Sequence, residues 1–264
     1  GEEGDAGNEY ASGDKLGLNL PGLQEELLET ITAVGKPVVL VLSAGSAIDL
    51  SWAGEHVPAI LDSWYPGARG GKAVAEALFG DYAPNGKLPV TFYQGTENLP
   101  EFTDYSMAGR TYRYTDKNIL YPFGYGLTYG TISYSGAKTE QETSAVLDDV
   151  TVCTKVKNES AYPLHESVEV YVKYKNAQPD EPGFQLKGIA CVELQAGEEK
   201  EVSVTLHARD FAVITEDGAC VVRPGEYEIS IGGQQPGERS RALTGRETEI
   251  LTVRKEGNEE NVEY

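Results

Sequence analysis

The 264 residues carry 42 acids against 22 Lys and Arg, a formal net charge of −20. Such a surface repels a phosphate backbone, so nucleic-acid binding is excluded as an expectation. Hydrophobic content of 40% and charged content of 24% are ordinary for a globular chain long enough to build real cores, and no apolar run approaches the about 18 residues of a membrane span.

The chain opens Gly1-Glu2-Glu3-Gly4-Asp5-Ala6-Gly7-Asn8-Glu9-Tyr10, ahead of any helix or strand signal. With Met107 the only methionine, this reads as a piece of a longer polypeptide that starts on a loop. Glu2, Glu3, Asp5, Glu9 and Asp14 lie there among glycines up to Gly17. Three readings of that loop stand side by side: a solvated acidic loop, a calcium site, or general acid–base chemistry by a carboxyl brought up to a substrate. The spacing does not match an EF-hand.

Beyond the loop, Leu23, Leu27, Leu28, Ile31 and Val34 fall at helical spacing until Gly35. Pro37 opens the apolar run Val38 to Leu42, a buried strand. Trp52 to Val57 reads as a polar link, and Ala59 to Tyr65 as a second strand broken by Pro66-Gly67. Ala73, Val74, Ala77, Leu78 and Phe79 predict an amphipathic helix closed by Gly80, and Leu88 to Phe92 a third strand after the Asn85-Gly86 turn. Strand–helix–strand spacing implies an α/β partial sandwich with a mostly parallel sheet over residues 1–130, its remaining strands supplied from elsewhere.

Residues 131–254 change character. Val168, Val170, Val172 and Tyr174 alternate with polar neighbours, as do Val202, Val204 and Leu206, and Tyr227, Ile229 and Ile231. With segments near 148–157, 184–194, 219–223 and 247–253, this predicts an antiparallel β-sandwich of about seven strands. Residues 255–264 read as a frayed acidic tail. Between the two regions, Tyr121-Pro122-Phe123-Gly124-Tyr125-Gly126-Leu127-Thr128-Tyr129 predicts a tightly turned, aromatic-packed crossing.

Several motifs carry little. Gly67-Ala68-Arg69-Gly70-Gly71-Lys72 misses the phosphate-loop spacing by one residue, and Ala73 stands where Ser or Thr is needed. Gly124-x-Gly126 lacks the third glycine of a dinucleotide fingerprint. Asn158-Glu159-Ser160 is a formal glycosylation sequon on an expected turn. His56, His165 and His207 are isolated, so neither a metal site nor a Ser-His-Asp triad is expected, and no cofactor is implied. Cys153, Cys191 and Cys220 are widely spaced on strand-like segments, which suggests buried free thiols and leans toward a reducing, cytoplasmic compartment.

Taken together, Gly35-Lys36-Pro37-Val38-Val39-Leu40-Val41-Leu42, Trp64-Tyr65-Pro66-Gly67, Gly70-Gly71, Leu78-Phe79-Gly80-Asp81-Tyr82, Gly86-Lys87-Leu88-Pro89-Val90-Thr91-Phe92 and the Tyr121 to Tyr129 crossing resemble glycoside hydrolase family 3. Gln185-Leu186-Lys187-Gly188, Gly197-Glu198 and Pro224-Gly225-Glu226-Tyr227 extend the resemblance into the second region, as a fibronectin type III-like domain. The resemblance implies a retaining, exo-acting β-glycosidase, a β-xylosidase or β-glucosidase, in which a TIM-like barrel supplies an Asp nucleophile and the α/β sandwich the acid/base Glu. Gly1-Glu2-Glu3-Gly4, Asp14-Lys15 and Leu20-Pro21-Gly22-Leu23-Gln24 follow the family's order around that Glu. Glu2 is the best match for the acid/base and Glu3 the fallback. The doubled Glu, and Lys15 where Arg is commoner, leave the choice between the two open.

No segment here resembles the barrel, so the implied partners are a β-linked oligosaccharide or glycoside and a barrel domain or chain of the same enzyme. The chain by itself is expected to be inactive, and a homo-oligomer stays open. Gly109-Arg110-Thr111-Tyr112-Arg113-Tyr114 resembles members acting on xylosides and related glucosides. The competing reading is a non-catalytic carbohydrate-binding or structural module that shares the fold, with Trp52, Trp64 and the tyrosines as stacking surfaces.

Overall fold

The computed structural model of the chain describes residues 17–97, 99–101 and 103–263. Its backbone divides into two compact units. One runs through Tyr82 and resumes over Val90–Tyr105 and Lys117–Pro122; the other holds Ala83–Pro89, Ser106–Asp116 and Phe123–Tyr264.

In the first unit, helix α1 (Gln24–Thr32) places Glu25 and Glu26 in its first turn, where the helix dipole favours acids. It buries Leu28 alone and leaves Leu23, Leu27, Ile31 and Val34 exposed along one stripe. Strand β1 (Val39–Leu42) pairs parallel with β2 (Ala59–Asp62), Val39 opposite Ala59 and Leu42 opposite Asp62. Between them lies α2 (Ser51–His56), where the sequence reading expects a link; Asp49 accepts hydrogen bonds from the Ser51 N–H and hydroxyl at its start. Helix α3 (Gly70–Phe79) closes on Gly80 in the left-handed conformation, as a helix stop requires. The chain then forms β3 (Phe92–Tyr93) and β4 (Ile119–Tyr121), which pair antiparallel.

The expected mostly parallel sheet is therefore corrected to one parallel and one antiparallel pair among the described residues. The strand expected over Leu88 to Phe92 forms only at its end. Pro89 has no N–H for a ladder, and Leu88 instead exchanges hydrogen bonds with the aromatic crossing: its N–H donates to the Tyr125 carbonyl at 2.9 Å, and its carbonyl accepts from the Gly124 N–H at 2.8 Å. Strand β2 stops at Asp62 because Trp64 sits at φ 49°, which no strand tolerates.

The second unit begins with the short helix α4 (Thr111–Tyr114) and then becomes all-β. Its strands are β5 (Ile132–Thr139), β6 (Thr143–Ala145), β7 (Val150–Asn158), β8 (Leu164–Tyr174), β9 (Gln185–Leu194), β10 (Glu199–Leu206), β11 (Val213–Ile214), β12 (Cys220–Val222), β13 (Gly225–Gly232), β14 (Glu249–Glu256) and β15 (Glu260–Asn261), with helix α5 (Glu238–Thr244) before β14. One sheet has the order β10-β7-β5 and the other β6-β14-β13-β8-β9, all neighbours antiparallel except β6 with β14. Val152 and Val156 of one sheet and Val168, Val170, Ile229 and Ile231 of the other share a core cluster with no solvent access. Period-two alternation predicts those positions, because successive strand side chains point to opposite faces.

Two expectations are corrected here, and the sequon is located. The tail is not frayed throughout: β14 runs to Glu256, and β15 pairs with β12. The thiols are free, but Cys191 is exposed and Cys153 and Cys220 only half-buried. The sequon asparagine is fully buried, and its amide donates to the carbonyls of Tyr162, Leu194 and Gln195, so Asn158 is closed to glycosylation in the folded chain.

Candidate functional site

Glu2 and Glu3 lie outside the described residues, as do Asp5, Glu9 and Asp14. The described residues begin after that loop in the chain, at Gly17. The Leu18 carbonyl accepts a 2.8 Å hydrogen bond from the Asp49 N–H. Asp49 lies on the segment that leaves the carboxyl end of β1, and its neighbours Ala44, Ile48 and Leu50 are buried. Leu18 is thus tied to the segment that joins β1 to α2, and α/β folds place ligand sites outside the carboxyl ends of such strands.

The same edge carries a second set of polar groups. The Ser63 N–H and hydroxyl both donate to the Leu42 carbonyl, at 2.9 and 2.8 Å, and the Ser43 hydroxyl donates to the Trp64 carbonyl at 2.9 Å. Trp64, in its left-handed conformation, donates its N–H to Asp62 Oδ1 at 3.1 Å and turns its ring edge-on to buried Phe92. Phe92 packs edge-on in turn against Tyr121. Burial raises the Asp62 pKa above the ordinary carboxylate value, and the Trp64 N–H lowers it only in part. The other carboxylate oxygen, Oδ2, is buried without a hydrogen bond among the described residues. This rim of Asp62, Ser63 and Trp64 was hidden in the sequence, where Ala59 to Tyr65 reads as a continuous strand. An acid following Ile60-Leu61 is the one signal that could have marked it.

The motif residues of the second unit converge on a buried ionic cluster. Lys87 donates to the Gly233 carbonyl at 2.8 Å and to the Gly126 carbonyl and Glu166 Oε1 at 3.3 Å; the Lys87 and Glu166 side chains are 12% and 5% exposed. Tyr134 donates to the same Glu166 oxygen at 2.8 Å. Beside them Tyr171 donates to Glu169 Oε2 at 2.8 Å, beneath Gly124. At φ 73°, Gly124 holds a conformation that favours glycine, and a Cβ there would collide with the Tyr171 hydroxyl and Glu169. Tyr112 stacks on Phe123 at 4.0 Å, and both meet Tyr171 edge-on. The aromatic crossing is thus built on a hydrogen-bonded floor of two carboxylates, Glu166 and Glu169, and two phenols, Tyr134 and Tyr171.

Burial pushes the Glu169 pKa up to about 7, against smaller downward pulls from the Tyr171 hydroxyl and Lys87. Folded chains therefore hold a proton on Glu169 that unfolded chains release, across the window from the ordinary glutamate value to about 7. Native protein binds more protons there, so this group stabilises fully below the window and less as pH rises through it, by on the order of 3 kcal/mol in total. Glu169→Gln keeps an acceptor for Tyr171 and is expected to flatten that fall in a series of thermal midpoints between pH 4.5 and 7. A slope as steep as wild type would show that another group sets it.

Among the described residues no group of three or more His, Cys, Asp and Glu is arranged to hold a metal ion, and no helix is long and apolar enough to cross a membrane.

Residues 1–129 match the glycosyl hydrolase family 3 C-terminal domain, and residues 166–235 match a fibronectin type III-like domain. The chain belongs to glycoside hydrolase family 3. This family 3 chain is 40% identical over 225 residues to a xylan 1,4-beta-xylosidase of Xylanibacter ruminicola, a match covering 84% of the chain and 26% of that protein. It is 31% identical over 238 residues to a periplasmic beta-glucosidase of Salmonella typhimurium, covering 86% of the chain and 31% of that protein. Among solved structures, the beta-glucosidase EmGH1 of Erythrobacter marinus superposes with a TM-score of 0.79 at 32% identity, over 95% of the chain and 32% of that one. The family 3 chain therefore spans roughly a quarter to a third of the length of the curated relatives it matches.

Proposed function

We propose that the chain supplies the general acid/base of a retaining, exo-acting β-glycosidase, from Glu2 or Glu3, against an Asp nucleophile on a TIM-like barrel. One observation carries this reading: the family 3 match runs through residues 1–129 and so takes in the acidic loop. The hydrogen bond of Leu18 to Asp49, on the segment joining β1 to α2, supports it, because ligand sites of α/β folds lie beyond the carboxyl ends of their strands. The uncovered stripe of Leu23, Leu27, Ile31 and Val34 on α1 supports further elements packing on the first unit, since apolar surface gains by leaving water. The names of the relatives support a β-xyloside or β-glucoside as substrate.

In this mechanism the acid protonates the leaving oxygen while the Asp attacks the anomeric carbon, the two carboxyl groups about 5–5.5 Å apart. A covalent glycosyl-enzyme forms. The same glutamate, now ionised, takes a proton from the water that hydrolyses it. The acid needs a raised pKa to be protonated at working pH. Repulsion among Glu2, Glu3 and Asp5, crowded in sequence, acts in that direction.

The test compares Glu2→Gln with Glu3→Gln in the chain assembled with its barrel, reading the pH dependence of kcat/KM on aryl β-xyloside and β-glucoside. An aryl α-L-arabinopyranoside is the third substrate, because a relative from Bifidobacterium longum, 36% identical, is an exo-alpha-(1->6)-L-arabinopyranosidase. The variant lacking the acid is expected to lose the basic limb, while the other keeps it. A basic limb unmoved in both would remove Glu2 and Glu3 from the role.

A further inference from the structure

Asn85 is the one asparagine in the chain that is followed by glycine. Asparagine is a labile side chain, and most so in that setting. The backbone nitrogen of the next residue can attack the side-chain carbonyl carbon, and glycine has no Cβ to obstruct the approach. The fold decides whether such a pair reacts. A hydrogen bond that occupies the attacking N–H, or a firm grip on the side-chain amide, shuts the reaction down.

At Asn85 the fold imposes neither. Gly86 is exposed, and its N–H has no hydrogen-bond acceptor among the described residues. The Asn85 amide makes one bond, from Nδ2 to the Ser167 hydroxyl at 3.5 Å. That is longer than the about 2.7–3.2 Å of a firm hydrogen bond. The Ser167 hydroxyl in turn donates at 3.2 Å to the Asn85 backbone carbonyl. Drawing electron density from that peptide group makes the Gly86 N–H easier to ionise. Asn158 shows the opposite case. It is fully buried, its amide donates to three carbonyls, and the N–H that follows it, of Glu159, donates to the Thr131 carbonyl at 2.9 Å.

We infer that Asn85 is a site of spontaneous deamidation in the folded protein, and that its isoaspartate product loosens the aromatic crossing. The Gly86 nitrogen gives its proton to hydroxide and attacks Asn85 Cγ. The Cγ–Nδ2 bond breaks, and ammonia leaves with a proton from water. One water then opens the resulting five-membered succinimide. Attack at Cγ gives aspartate. Attack at the backbone carbonyl carbon gives isoaspartate, whose main chain runs through the former side chain and is one carbon longer. Just beyond lie Lys87, which donates to Gly126, Gly233 and Glu166, and Leu88, which exchanges backbone bonds with Gly124 and Tyr125. An added main-chain carbon displaces both from those partners. The inference is independent of the acid/base assignment and is read without hydrolysis.

The test incubates the folded chain in mildly alkaline buffer and follows every asparagine by peptide mass spectrometry, with isoaspartyl methyltransferase labelling to separate the two products. Asn85 is expected to convert first, faster as pH rises, and to yield isoaspartate. Gly86→Ala is expected to slow conversion by about tenfold, because a Cβ hinders the attacking nitrogen and narrows the backbone angles open to it. A Cβ at Gly86 meets nothing within 4 Å, so this variant keeps the fold. Isoaspartate-bearing chain is expected to melt below Asn85→Asp, which carries the same charge on an unchanged main chain. Asn85 intact while other asparagines convert, conversion only after denaturation, or Gly86→Ala converting as fast as wild type would each overturn the assignment. Equal melting of the isoaspartate form and Asn85→Asp would overturn the effect on the crossing.

Discussion

Replacing Glu2 and Glu3 together by Gln is expected to slow hydrolysis of β-xylosides and β-glucosides with poor leaving groups by roughly 10²–10⁴-fold, the usual worth of a positioned acid/base. The size follows from the chemistry. A sugar alkoxide is a poor leaving group, and without a proton donor the glycosidic oxygen must depart charged. An activated aryl glycoside needs that proton less, so its first step should suffer less while water attack on the glycosyl-enzyme still lacks a base. Steady-state assays with a series of leaving groups should therefore show a steeper dependence on leaving-group acidity in the double variant. Azide needs no base to attack and should restore turnover on the activated substrate. If wild type and double variant hydrolyse the whole series alike, the chain is a non-catalytic module of the enzyme, as the competing reading holds.

Lys87→Met is expected to destabilise the second unit by about 3–5 kcal/mol, the typical cost of removing one partner from a buried ion pair. Lys87 feeds three acceptors at once: the Gly126 and Gly233 carbonyls and the Glu166 carboxylate. The change would leave Glu166, 5% exposed in its side chain, with the Tyr134 hydroxyl as its one side-chain hydrogen-bond donor among the described residues. For a unit of this size the loss corresponds to a drop in thermal midpoint on the order of 10 °C, measurable by circular dichroism or calorimetry. Adding Glu166→Gln removes the stranded charge and should recover part of the loss, so the double variant is expected to be more stable than Lys87→Met alone. A Lys87→Met midpoint within 2–3 °C of wild type, at roughly 1 kcal/mol or less, would mean that Lys87 only fills space.

Much of this molecule was legible in the residue order because its signals are local. Alternation of apolar and polar residues places Val168, Val170 and Val172 on one face of β8 whatever surrounds them, and the same holds for Ile229 and Ile231 of β13. Gly80 ends α3 because a left-handed residue costs glycine nothing. The family motifs were equally local: runs such as Gly86-Lys87-Leu88-Pro89 carry the resemblance without any knowledge of contacts.

What the tertiary structure decided were the long-range pairings. Leu88 bonds to Gly124 and Tyr125 rather than extending a parallel sheet, a choice between partners 36 and 37 positions away that no local pattern encodes. Asp62 reads as a strand residue, and only the left-handed Trp64 after it turns it into a half-buried carboxyl at the sheet edge. Lys187 is one lysine in a family-typical motif until the fold half-buries it on β9 and brings the charges of Asp210 and Arg113 to bear on it. The sequence alone determined which stretches become strands and helices, the family they belong to, and the two glutamates to test, because periodicity and motif are properties of neighbours in the chain. Burial, pairing and charge compensation depend on which distant segments meet, and those only the folded structure could decide.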